Sequence, residues 1–150
     1  MKARHIIEAF YGTPLMVIVH PGSLCGSYHT SHAFDPRKLR QLVDEIYGWN
    51  GHFAIIYGDF PDELDDYPEV GKAIDFAAWP NTTGEYTAGA NSGELRRVAR
   101  QIVREMKAAS SPMVLITGAW GEEDGCARFV ADELVRLGAK ATLSKHVPHS

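Results

Sequence analysis

Leu15–Val19 reads LMVIV, an apolar run without a polar interruption. A strand wetted on one face alternates apolar and polar positions, whereas a strand covered on both faces does not. The run therefore predicts a strand deep inside a sheet. "HFAIIYGD" has the same character and predicts a second strand ending near Tyr57. "MVLIT" predicts a third strand and "KATLSKH" a fourth.

Between these runs the apolar period lengthens. Asp35-Pro36 offers an N-cap and a proline at the first helical position. Leu39, Leu42, Val43 and Ile46 follow at helical spacing, and Gly48 closes the helix. Asn91 with Glu94 forms a capping-box signature. It opens a helix whose apolar stripe is Leu95, Val98, Ala99, Ile102, Val103 and Met106, and Pro112 ends the connection. Asp124 is placed to cap a last helix, with Cys126, Phe129, Val130, Leu134 and Leu137 inward and Gly138 as its left-handed stop.

Phe60 to Ala90 fits neither period along its whole length and is too long for an ordinary connection. Pro68 can start a short helix with Val70, Ala73, Ile74 and Ala77 on one face. "WPNTTGEYTAGAN" after it is turn-rich. Two readings stand: a lid or subunit contact, or an extra packed helix with a surface loop.

Strands alternating with helices imply right-handed crossovers and a sheet sandwiched by helices. The expected fold is one domain over residues 1–150, a three-layer α/β/α sandwich with a mainly parallel, Rossmann-like sheet of about four or five strands.

Composition narrows the partners. At 45% hydrophobic residues the 150-residue chain can build a proper core. A net charge of −4 and no basic stripe argue against nucleic acid as a partner. Arg96, Arg97, Arg100 and Arg104 share the polar side of one helix, the pattern of a solvated face. No apolar run is long enough to span a bilayer, so no membrane partner is expected. Cys25 and Cys126 form no CxxC or zinc-finger spacing, consistent with free thiols in a reducing, cytoplasmic setting.

In a parallel sheet, ligands bind beyond the carboxyl ends of the strands. His20, Ser23, Cys25, Ser27, His29 and His32 follow the first strand, and Asp59 follows the second. Thr117, Gly118, Trp120 and Cys126 end or follow the third, and Lys145, His146 and His149 the fourth. Three sites are weighed. "HPGSLCGS" places Gly22 and Gly26 beside Ser23 and Ser27, donors suited to a phosphate or carboxylate; a tight structural turn explains the same residues. His20, His29, His32 and Asp59 are suitable ligand types for a divalent metal, or ordinary hydrogen-bonded side chains. Cys126 stands where a helix start lowers a thiol pKa, although Glu122, Glu123 and Asp124 oppose that effect. It also fits the apolar stripe, and the favoured reading is a packed residue that lines the pocket without reacting. Trp120 can stack on a flat ligand or serve packing alone.

Two resemblances attach to these residues. "MVLITGAWGEEDGCARFVADELVRLGAKATLS" is similar to a Rossmann unit of the short-chain dehydrogenase type, through Thr117-Gly118-Ala119, Gly121, Gly125 and Leu137-Gly138-Ala139. The glycine spacing is looser than that family's fingerprint, and no room is left for a Tyr-Lys pair. The stretch also resembles isochorismatase-like cysteine hydrolases, in which a strand ends in a Gly turn, a nucleophilic Cys opens a helix and a Gly closes it. Gly118, Cys126 and Gly138 follow that plan, and Asp59 lies near an acidic position of the metal-binding members. Val19 and His20 stand where that family has an Asp, and Trp79 to Tyr86 contains no Lys.

The expected function is that of a cytoplasmic small-molecule enzyme, a hydrolase, acting on an anionic or nucleotide-like substrate at the carboxyl ends of the parallel strands. His20, Asp59 and Cys126 are its catalytic candidates. Gly22, Ser23, Gly26, Ser27, Gly118 and Trp120 are candidates for ligand binding, and His29 and His32 for a metal. The alternative is a non-catalytic ligand-binding domain, or an interaction domain that forms a homo-oligomer.

Overall fold

A computed structural model describes residues 14–20, 36–49, 52–58, 71–73, 83–109, 113–118 and 125–145. The elements are β1 (Leu15–Val19), α1 (Pro36–Gly48), β2 (His52–Tyr57), β3 (Thr83–Thr87), α2 (Ser92–Ala109), β4 (Val114–Gly118), α3 (Cys126–Arg136) and β5 (Ala141–Leu143). The five strands form one sheet in the order β3-β2-β1-β4-β5, and every pairing is parallel. The expected parallel α/β sandwich is therefore the fold, with five strands.

The unbroken apolar runs occupy the middle of the sheet. All of β1 is buried, with Leu15 at 2% exposure and Val17, Ile18 and Val19 at 0%. Its residues alternate between two cores. Leu15, Val17 and Val19 join Leu95, Val98 and Ile102 of α2 and Val130 and Leu134 of α3. Met16 and Ile18 join Leu42, Val43 and Ile46 of α1, Phe53 and Ile55 of β2, and Ala73. Helices thus cover both faces, and burial on both sides explains why the strand shows no period of two.

Local signals set the helix ends. Pro36 opens α1; its expected cap, Asp35, lies outside the described residues. Asn91 caps α2, its Oδ1 accepting from the N–H groups of Gly93 at 2.8 Å and Glu94 at 3.2 Å. Glu94 reaches back to the N–H of Gly89 rather than to that of Asn91 itself. The cap of α3 is Gly125, with no side-chain hydrogen bond, which corrects the expectation of Asp124. Gly138 ends α3 with φ of +97°. Gly138 N–H donates to Val135 O and Ala139 N–H to Leu134 O, the paired bonds of a Schellman turn.

β3 departs from the sequence expectation, which left TGEYT in a turn-rich loop. Among the described residues it is an edge strand, and β2 supplies its ladder. A side chain at Gly84 would meet the ring of Tyr86 at 3.2 Å, so the ring covers the glycine. The Tyr86 hydroxyl donates to Glu105 Oε2 of α2 at 2.6 Å. One aromatic side chain thereby fastens a weakly apolar strand to the layer above it.

Glu133, an inward residue of α3, joins the helices. It accepts from Arg136 Nη2 at 2.6 Å and from Arg96 Nε of α2 at 3.4 Å. Arg96 also lies 5.8 Å from the centre of the Phe129 ring. The other three arginines of that row, Arg97, Arg100 and Arg104, are exposed, as a solvated face requires. Among the described residues, no helix is long and apolar enough to cross a membrane.

Candidate functional site at the strand ends

The strand order places a reversal at β1. From β1 the chain builds outward through β2 to β3, then crosses back to add β4 on the other flank of β1. The helices that follow β1 and β4, α1 and α3, lie on opposite faces of the sheet. Open α/β sheets bind ligands at such a switch point, beyond the carboxyl ends of the strands. Val19 stands level with Ile56 of β2 on one side and Gly118 of β4 on the other.

Both exits from this point have left-handed backbones. His20, just after β1, has φ of +46°, and Gly118, the last residue of β4, has φ of +110°. Histidine tolerates that region better than most side chains, whereas glycine enters it freely. Gly118 has a second constraint: an added Cβ would sit 2.7 Å from Val19 N and 2.8 Å from Val19 C. The absence of a side chain lets the end of β4 close directly onto the β1 backbone.

His20 is 5% exposed. Its N–H donates to Ile56 O at 2.8 Å, which continues the β1–β2 ladder beyond the strand. Its Nε2 lies 2.6 Å from Ala88 O. A carbonyl only accepts, so Nε2 carries the proton, and in the neutral ring Nδ1 holds the lone pair. Ala88 follows β3 and donates its own N–H to Tyr57 O at 2.9 Å. The imidazole thus reaches past the end of β2 and ties three strand exits together.

Cys126 is the first residue of α3, partly buried against the core shared with α2 and α3, and is not in a disulfide. Gly125 precedes it with φ of −81° and ψ of 157° and provides no side-chain acceptor for the first turn. No acidic residue occurs in that turn; Glu122, Glu123 and Asp124 lie outside the described residues. Both the helix-start and the apolar-stripe features of Cys126 are therefore present together.

Gly22, Ser23, Cys25, Gly26, Ser27, His29, His32, Asp59 and Trp120 also lie outside the described residues. Among the described residues no group of three or more His, Cys, Asp and Glu side chains is arranged to hold a metal ion. Of the candidates, the structure places His20 and Gly118 at the exits of the adjacent strands β1 and β4, and Cys126 at the head of the helix that follows β4.

The sequence reading missed Glu45. It accepts from Thr117 Oγ1 at 2.7 Å and from Ser144 Oγ at 2.6 Å. A carboxylate set next to the Leu42–Ile46 stripe was the only local sign of it. Its partners come from distant parts of the chain.

Compared with protein-family models, with curated proteins and with solved structures, the chain matches none.

Proposed function

We propose that the chain is a small-molecule enzyme, a hydrolase, that receives an anionic or nucleotide-like ligand between the carboxyl ends of β1 and β4. The observation that carries this reading is the pair of left-handed exits, His20 and Gly118, on adjacent strands at the topological switch point. Residues held in sparsely populated backbone regions cluster at ligand sites, where a close backbone approach matters more than strain. The Gly- and Ser-bearing segment that follows His20 in sequence supplies donors suited to an oxyanion.

In this reading Cys126 is the nucleophile candidate. A thiolate at the first position of α3 lies beside first-turn N–H groups, which stabilise an oxyanion as it forms. The position agrees with the plan of isochorismatase-like hydrolases. His20 is a positioning group here, because its Nε2–H already serves Ala88 O. Asp59 and a divalent metal are further parts of the proposal, as are self-association and a cytoplasmic location. Thiol labelling across pH, with the modified site assigned by mass spectrometry, tests the core of it. Fast labelling of Cys126 near neutral pH, slowed by phosphate or a nucleotide, is the expected result. Slow labelling that no ligand alters, together with undiminished turnover in Cys126→Ala, removes Cys126 from the chemistry.

A second reading is a ligand-binding domain without catalysis. The packing of Cys126 against the main core favours it. Saturable binding of a nucleotide with no turnover, in a protein whose Cys126 labels slowly, would establish this alternative.

A further inference from the structure

Glu45 of α1 links elements that are far apart in the chain. Thr117 lies 72 residues away, near the end of β4, and Ser144 lies 99 residues away, just after β5. These two donors are 2% and 7% exposed, and each carboxylate oxygen receives one hydroxyl. Hydrogen bonds to a carboxylate are shorter and stronger than those between neutral groups. Ser144 is held further by its N–H, which donates to Ile116 O at 2.7 Å.

Thr117 precedes Gly118, and that sequence neighbour gives the cluster its importance. A glycine has more backbone freedom than any other residue, so a left-handed glycine at a binding crevice needs an external hold. Threonine is stiff about χ1, and once its hydroxyl is anchored its backbone follows. The series Glu45, Thr117, Gly118, Val19 therefore runs from a helix on one face to the centre of the switch point.

We propose that Glu45 is a positioning residue for the β1–β4 crevice, anchoring Thr117 so that Gly118 keeps its left-handed conformation against β1. The proposal rests on the crevice being a ligand site. Without the anchor, Gly118 samples other conformations, and a ligand must bear the cost of ordering it.

Four variants test this, with inorganic phosphate as the probe and the Gly118 amide resonance as the reporter. Glu45→Ala is expected to weaken phosphate binding about tenfold or more. It should also speed hydrogen exchange at the Gly118 amide without phosphate, while circular dichroism stays unchanged. Thr117→Val keeps the branched shape, removes the hydroxyl and should give both effects; it replaces Glu45→Ala if that variant does not fold. Glu45→Gln retains an acceptor for Thr117 and an N–H for Ser144 Oγ, so it should recover most of the affinity. Asp44→Asn, at an exposed neighbour in α1, is the charge control and should change neither readout. Wild-type affinity and exchange in both Glu45→Ala and Thr117→Val would overturn the proposal. If phosphate leaves wild-type Gly118 unshifted, the site reading fails for that anion, and the exchange rates alone still decide whether Glu45 is the anchor.

Discussion

Alanine at position 118 would bring a methyl group against the Val19 peptide in a backbone region that L side chains avoid. Gly118→Ala should therefore cost about 3 kcal/mol or more in a urea titration. Side-chain rearrangement cannot offset this, because the obstacle is backbone. His20→Ala acts differently. It leaves Ala88 O, on a residue 1% exposed, without its imidazole donor. The expected loss is about 2 kcal/mol, measured in the same way. A wild-type midpoint for His20→Ala would show that the exits of β1, β2 and β3 are not mutually dependent, and one for Gly118→Ala that the β1–β4 approach is not a constraint. At this scale the sequence showed which residues were chemically able, and His20 and Gly118 were among them. It did not show that the histidine ring is tied to a carbonyl beyond β2, because that partner directly follows a strand the pattern concealed.

Elements were legible in proportion to how fully they are covered. β1, β2 and β4 could be read because burial on two faces forces continuous apolar runs, and α2 because Asn91 and Glu94 mark its start. Asn91→Ala should lower thermal stability by about 1 kcal/mol through that cap alone. β3 was hidden because an edge strand needs few apolar residues, and a single tyrosine anchors it from outside the local pattern. The contact between α2 and α3 has a pH signature. The hydrogen bond from Arg136, with the charges of Arg136 and Arg96, holds the Glu133 carboxyl below its ordinary range, although burial opposes this. A carboxyl depressed by folding stabilises the protein above its unfolded pKa, about 4.3 for glutamate. That contribution disappears as pH falls through the lower folded value. Comparing wild type with Glu133→Gln by denaturation at several pH values should show a gap of about 1–2 kcal/mol at neutral pH that closes in acid. A gap independent of pH would mean that packing, not charge, is what the substitution disturbs. Tyr86 shifts the opposite way: burial, then the hydrogen bond and charge of Glu105, raise its phenol above the ordinary tyrosine range. In an alkaline absorbance titration Tyr86→Phe should remove one late-ionising tyrosine.

For the whole molecule, fold class was the most readable property, since it depends on the alternation of strand and helix rather than on any one residue. Strand order was not readable, because nothing in β1 itself says that its second flank belongs to β4. That order also has a consequence during synthesis. β1 and β2 can pair early, but Leu15 and Ile18 wait for Val114 and Thr117, which lie far downstream. Until β4 emerges from the ribosome, the wholly apolar β1 has one bare edge. Closing that long interval also makes folding slow relative to a protein of local contacts. A nascent chain halted before residue 113 should therefore be the species most in need of a chaperone, and the one most prone to aggregate when released.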